Sequence, residues 1–405
     1  TVRATETTPP LSYCIAWLWA QVAGTSDFAL RVPSIAFGAG TVLLGYRTAW
    51  LIAGRRAATI TAALLAVTPL LVWFGQEARA YSLMAMLAAG LTLATVRWTR
   101  GAPGAWWHWS IWATLLVATH YPGWVFVAAS AISVAALRID RVQSVVLACA
   151  APLVVAAAHL PLLAHQQQAG RTAWIGETSL GRRLLLAPKQ LVTGLDAPHA
   201  TLFGVLIYVA LAPLIVLGAR RVGVAAWLAA PLTLLLVVGG ALLGPDIIVS
   251  RNLLLLAPPL LLLAGVGAAT RTATAWVAAA VLVGLLALSI VITTDSDYVR
   301  PDWHGALVAA ERMHAPGGVG FSPAMQRELV RWYTPDLAPA DLDASSARVT
   351  IVAGDVIPNG EQNPIEQGYR ARNLPGCSHR RVFDQVVVVD CTRTASPPDG
   401  AAPIG

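Results

Sequence analysis

"TETTPPLSYCIAWLWAQVAG", residues 5–24, sets a carboxylate, Glu6, beside two prolines and a Trp-rich apolar segment. The apolar part is too short to cross a bilayer, which takes about 20 apolar residues in a helix. It reads as a helix lying in the membrane interface with Trp17 and Trp19 at headgroup level, or as the fraying end of the span that follows. An acid at the lip of a bilayer then needs a reason to be there.

Composition fixes the class around this stretch. Hydrophobic residues make up 56% of the 405, charged residues 12%, and mean hydropathy is +0.62. A soluble chain of this length needs more polar surface, so the composition implies a polytopic membrane protein. The net charge of +7 rests on arginine, Lys189 being the only lysine. The basic residues stand at the ends of hydrophobic runs, where they meet headgroups of membrane lipids. They form no stripe of the kind that binds nucleic acid.

Run length and charge breaks give about ten spans of ~16–22 residues, close to the helical requirement. They cover 34–53, 58–75, 80–98, 106–121, 122–138, 144–164, 201–219, 223–243, 249–269 and 274–293, the fourth and fifth being short helices joined at "THYPG". An even number puts the opening stretch and the polar C-terminal region on one side. One set of alternate loops is short, basic and almost free of acids (Arg55, Arg56, Arg97, Arg100, Arg220, Arg221), as cytoplasmic connections are. The other face mixes nearly as many cations with Glu6, Asp27, Glu77, Glu177, Asp196 and Asp246, and reads as outside. A chain that begins outside implies an earlier helix upstream of Thr1, so an N-terminal truncation is expected.

The sequence therefore predicts an all-α polytopic domain over 1–294 in the cytoplasmic membrane, followed by a small extracytoplasmic α/β domain over 295–390 and a flexible Pro/Gly-rich tail over 391–405. Cys14 and Cys149 fall in apolar segments and read as small hydrophobes. Cys377 and Cys391 flank the strand-like "RVFDQVVVVD" without a zinc or CxxC spacing. They are expected to form a disulfide if their domain faces an oxidising compartment.

Polar residues inside or beside the spans are the costly ones, and so the functional candidates. "WFGQEARAYSL" (73–83) places Glu77, Arg79 and Tyr81 at an outer junction, where the plain alternative is a turn facing water. "VATHYPGWVF" puts His120 and Tyr121 at another outer turn, and "PDIIVSRNLLLL" sets Arg251 at the mouth of a span. A snorkelling headgroup contact is the simpler use of such an arginine. "GETSLGRRLLLAPKQLVTG" (176–194) reads as a basic amphipathic interfacial helix. Each signal is weak alone, but all of them converge on one face.

Five motifs in order resemble the GT-C-type membrane glycosyltransferases, the superfamily of protein O-mannosyltransferases and aminoarabinose transferases. "ETTPPLSYCIAWLWAQVAGTSDFALRVPS" is similar to the family's acidic, Pro-Pro first outer loop. "QEARAYSL", "THYPG", "SRNLLLLAPPLLLLAG" and "RPDWHGA" resemble its later signatures. The resemblance implies a polyprenyl-phosphate sugar as donor and a glycan, lipid or protein as acceptor. It also implies a principal catalytic acid upstream of Thr1, with Glu6 at the second acidic position. Thr8 and Asn252 depart from residues that are frequent in the family.

The chemistry agrees with the residue types. The leaving phosphate needs its growing negative charge stabilised, which suits the forked donors of Arg251 and Arg79. The acceptor hydroxyl must lose a proton, which suits a carboxylate such as Glu6. Glu77, Tyr81, His120 and Tyr121 would orient sugar or acceptor. No metal-ligand pattern stands out, and a need for a divalent cation is left open. Two other readings are a transporter or flippase for lipid-linked glycans, which would place polar groups near the bilayer midplane, and a surface-polysaccharide polymerase or ligase.

Overall fold

The computed structural model divides the chain into two units, Thr1–Ile292 and Thr293–Gly405. It describes residues 7–137, 142–169, 172, 175–176, 178–222, 228–244, 246–295, 302–313, 319–322, 348–354, 377–383 and 386–392. Glu6 lies outside the described residues.

The first unit is helical. Its opening apolar stretch forms α1 (Leu11–Ala23), ended by Gly24 at φ 80°, a conformation that favours glycine. Trp17 is exposed, whereas Trp19 donates through Nε1 to the Ala29 carbonyl at 2.8 Å and ties α1 to the next helix. That helix, α2 (Asp27–Val67), starts at Ser26, whose hydroxyl accepts from the Ala29 amide. It runs 41 residues through the first predicted span and into the second, interrupted at Gly54 (φ 80°).

The second predicted span does not continue to residue 75. Pro69 drives Thr68 into an extended conformation (φ −70°, ψ 119°), because a residue before proline clashes in the helical region. A separate short helix, α3 (Pro69–Gly75), follows. Then come α4 (Ala80–Thr99), α5 (Ala105–Thr119), α6 (Tyr121–Leu137), α7 (Val142–Gln168) and α8 (Leu180–Thr193). Beyond them are α9 (Ala200–Val222), α10 (Ala229–Leu243), α11 (Ser250–Leu253), a 3₁₀ turn (Leu254–Leu256), α12 (Ala257–Ala268) and α13 (Thr272–Thr294). The 3₁₀ turn precedes Pro258 and Pro259, which lack amide protons and so fit only the first turn of α12.

Among the described residues, six helical segments are long and apolar enough to cross a membrane. They are Asp27–Val67, Ala80–Thr99, Val142–Gln168, Ala200–Val222, Ser250–Ala268 and Thr272–Thr294. The fourth and fifth predicted spans are the short helices α5 and α6, as expected, and the eighth is carried by α10, of 15 residues. Two segments form the interior: in their most apolar windows 83% of Ala80–Thr99 and 78% of Ser250–Ala268 is buried, against 17% of Val142–Gln168. Tyr81 and Arg251 are carried by these two central segments.

Close packing explains how the centre is built. A Cβ on Gly218 would collide with the Leu263 carbonyl, and one on Gly267 with the Leu214 carbonyl, so α9 and α12 touch backbone to backbone. Gly265 meets Thr61 of α2 in the same way. Leu64, Met84, Leu87, Trp98, Trp109 and Leu214 fill the core around these crossings. At the end of α4 away from Tyr81, Arg100 donates through Nη1 to the Leu51 carbonyl at 2.6 Å.

In the second unit, helix α14 (Trp303–Met313) begins after Asp302, whose Oδ1 accepts from the Gly305 amide at 2.8 Å. It packs against a four-stranded sheet of β1 (Val319–Ser322), β2 (Arg348–Gly354), β3 (Cys377–Phe383) and β4 (Val386–Thr392), in the order β1-β2-β4-β3. β1 and β2 run parallel, and the other pairs are antiparallel. The β3–β4 register sets Cys377 directly opposite Cys391. Opposed antiparallel Cα atoms lie roughly 4.5–5.5 Å apart, inside the roughly 4.4–6.8 Å a disulfide spans. Non-reducing peptide mass spectrometry of protein from an oxidising compartment should therefore recover the 377–391 crosslinked peptide. Two free thiols there would remove the bond.

Candidate functional site

The site grows out of breaks in the helices. Between α3 and α4 the chain turns through Gln76–Arg79, and two serines lock this turn to α2. The Ser34 hydroxyl donates to the Glu77 carbonyl at 2.6 Å, and the Ser82 hydroxyl donates to the Ser34 carbonyl at 2.7 Å. Both serines are buried. The turn thus has a fixed backbone, from which Glu77 and Arg79 project as an ion pair (Nε to Oε1, 3.4 Å). The Arg79 side chain is 60% exposed and that of Glu77 22%, so the pair sits at the exposed rim.

Tyr81, in the first turn of α4, points inward. Its ring packs on Phe74 with centroids 4.6 Å apart and on His120 at 5.6 Å. The Arg251 and Arg79 guanidiniums both lie within electrostatic reach of its hydroxyl. His120 is the extended residue between α5 and α6 (φ −156°, ψ 136°) and is 4% exposed. Among the described residues neither of its ring nitrogens has a hydrogen-bond partner, and it too feels the Arg251 charge. Glu77, Arg79, Tyr81, His120 and Arg251, predicted from three separate motifs, thus form one cluster.

Tyr121 faces a neighbouring network. Its hydroxyl donates to Gln166 Oε1 at 2.7 Å, and Gln166 Nε2 in turn donates to the Thr8 carbonyl at 3.4 Å. The Thr8 hydroxyl reaches Tyr13 Oη at 3.2 Å. Gln166, at the C-terminal end of α7 and 5% exposed, therefore holds Thr8 beside the His120–Tyr121 corner. The sequence reading missed Gln166. Its only signal is the polar run "HQQQ" closing an apolar helix.

Arg251 sits in α11 and is half-buried. The loop leading to it is held from two sides. Asn252 Nδ2 donates to the Ile247 carbonyl at 2.9 Å. Arg183 of α8 grips Asp246 with both Nη atoms, at 2.6 and 2.5 Å. That guanidinium keeps the Asp246 carboxyl below its ordinary carboxylate value. Among the described residues no group of three or more His, Cys, Asp or Glu side chains gathers to hold a metal.

Beside the cluster a cavity of 320 Å³ opens between α2, α3 and α4. Ile35, Val42, Leu71 and Val72 make its apolar wall, and Gln76 and Ser82 its polar edge.

Gln166→Leu keeps the bulk of the side chain and removes both hydrogen bonds. It leaves the Tyr121 hydroxyl and the Thr8 carbonyl to find other partners, at about 1–3 kcal/mol for each buried group so stranded. Hydrogen exchange should show the 7–13 segment opening faster in this variant than in wild type. Unchanged exchange there would mean that Thr8 is held by other contacts.

Comparison with known proteins bears on this geometry. Residues 7–165 match the family model described as dolichyl-phosphate-mannose-protein mannosyltransferase. No curated protein matches the chain. Among solved structures, ArnT from Cupriavidus metallidurans in the apo state aligns with a TM-score of 0.58 at 12% identity, over 96% of this chain and 88% of that one. ArnT from the same organism bound to undecaprenyl phosphate aligns with a TM-score of 0.57 at 12% identity, over 96% and 89%. The family match spans residues 7–165, and the likeness to ArnT, at 12% identity, shows that the two chains share a fold.

Proposed function

We propose that the protein transfers a hexose or pentose from a polyprenyl-phosphate-linked donor to an acceptor hydroxyl, on a glycan, lipid or protein, at the outer face of the cytoplasmic membrane. The observation that carries this reading is the convergence of Arg251, Tyr81 and His120, from separate elements, on one end of the bundle. The fold around them is shared with a protein solved with undecaprenyl phosphate.

The acceptor oxygen attacks the anomeric carbon, the bond from that carbon to the donor phosphate oxygen breaks, and polyprenyl phosphate leaves with the electron pair. Arg251, half-buried, meets the charge that grows on the leaving phosphate, and its planar fork suits two oxygens at once. Arg79 adds a weaker contribution from the rim, where water screens it. The acceptor proton passes to a carboxylate. Glu6, two residues before the Thr8 that Gln166 and Tyr121 hold, serves as that base or assists it. Glu77 and Tyr81 orient the sugar or acceptor. A neutral imidazole offers one donor and one acceptor, which lets His120 pair with a sugar hydroxyl. The apolar cavity beside Ser82 suits the first isoprene units of the donor. The second unit, with its proposed disulfide, faces outside in this reading.

The test compares two arginines. Arg251→Ala should reduce turnover of a polyprenyl-phosphate sugar about ten- to a hundredfold, the worth of one charge-assisted contact (~1.5–3 kcal/mol). Arg220→Ala, at the end of α9 on the face read as cytoplasmic, should leave it near wild type. Equal losses at matched expression would make Arg251 a headgroup anchor.

Glu6→Gln separates chemistry from positioning, since the amide keeps size and hydrogen bonding but loses basicity. A raised requirement for substrate with turnover largely kept is the expected result. A collapse of turnover with donor binding intact would make Glu6 the base itself. Transport of a lipid-linked sugar across proteoliposomes without transfer would replace the enzyme reading altogether.

A further inference from the structure

Arg183 takes no part in the mechanism above, yet it is 7% exposed and heavily bonded. Its Nε donates to the Thr178 carbonyl at 2.8 Å, and Nη1 and Nη2 grip Asp246 in a two-pronged pair. Nη1 also donates to the Ile248 carbonyl at 3.3 Å. Four of the five N–H groups of a guanidinium are accounted for in this way. The arrangement suits a clip far better than a lipid-phosphate contact, and Arg182 beside it is the exposed cation of α8.

The other side of the clip is equally committed. Asp246 Oδ1 accepts from the Ile248 amide at 3.1 Å, and the Ile248 side chain is fully buried. Asn252 closes the same loop from its far end through the Ile247 carbonyl. Both polar groups of the Ile248 backbone are therefore held by the Arg183–Asp246 pair, three residues before Arg251. At roughly 3.3–3.6 Å per residue the guanidinium-bearing residue is within about 11 Å of chain from that anchor. Any relaxation of the loop is passed on to it directly.

We propose that Arg183 and Asp246 are positioning residues for the phosphate-binding cation: the clip between α8 and the 246–249 loop delivers Arg251 to Tyr81 and His120. This rests on the assignment of Arg251 above. A partly buried ion pair is by itself poor evidence for stability, because the cost of taking its charges out of water offsets much of their attraction. A pair that sets geometry explains its presence here, since a displacement of about 1 Å in a positioning group can cost a hundredfold in rate.

The test is a double-mutant cycle on the full chain in detergent, read as affinity for undecaprenyl phosphate. Arg183→Lys keeps the charge and loses the fork, and Asp246→Asn keeps the shape and loses the charge. Each should weaken binding by much of the roughly ten- to hundredfold expected for Arg251→Ala. In the Arg251→Ala background neither should weaken it further, because residues that act through one another are not additive. Asp246→Asn carries the test if Arg183→Lys does not fold, and the reverse.

Full additivity on a weakened Arg251→Ala would overturn the clip and spare the phosphate assignment. So would wild-type affinity in both clip variants. Wild-type affinity in Arg251→Ala would remove the phosphate assignment, and the clip with it.

Discussion

A backbone amide or carbonyl in apolar surroundings must find its partner within the protein, and the layout of this molecule follows from that constraint. Inside α4 or α13 the helix itself satisfies it. At each break the helical partner is lost and a side chain takes its place. Ser34 serves the Glu77 carbonyl, Asn252 the Ile247 carbonyl, Arg183 the Ile248 carbonyl, and Gln166 the Thr8 carbonyl. Polar side chains therefore gather where helices are interrupted. The cluster of Tyr81, His120 and Arg251 lies among these breaks because polar groups are already sustained there.

The same constraint acts through packing. Apolar side chains gain little by leaving lipid for protein, so helices associate through close contact. Gly218, Gly265 and Gly267 bring α9, α12 and α2 together at backbone distance. That contact places α12 in the interior, and α12 continues back through the 3₁₀ turn into α11 and Arg251. A crossing with larger residues would push this column outward and carry the arginine away from α4. The position of Arg251 thus depends on glycines in the apolar middle of the helices.

The class of the protein and the identity of the clustered residues were legible in the sequence, because both rest on local patterns. Hydropathy marks apolar helices wherever they run, and "QEARAYSL", "THYPG" and "SRNLLLL" each put a polar group beside a span. The break at Thr68 was legible too, since Pro69 demands it, but a reading by length alone ran the second span past it. The fixing bonds were not legible. Gln166 and Thr8 are separated by 158 positions, Arg183 and Asp246 by 63, and nothing within either segment announces its partner. Arg182 and Arg183 are adjacent and chemically identical. Only the fold makes one an exposed cation and the other a buried clip.

The cluster also runs from wet to dry. Arg79 is largely exposed, Glu77 less so, Arg251 is half-buried, and His120 is buried. Charges at the wet end are screened and contribute little to discrimination, but they meet a polar acceptor first. At the dry end an imidazole without partners among the described residues costs about 1–3 kcal/mol for each stranded polar atom. A ligand hydroxyl that pairs with it recovers that energy, whereas an apolar group in the same place does not. In the proposed reaction this gradient would sort the two substrates by chemistry, with the acceptor received at the rim and the sugar recognised at the buried end. In that reading the lipid tail would need only the apolar wall of Ile35, Val42, Leu71 and Val72. On the proposed function, specificity for the sugar would fall to His120 and its neighbours, and affinity for the carrier to Arg251 and the cavity.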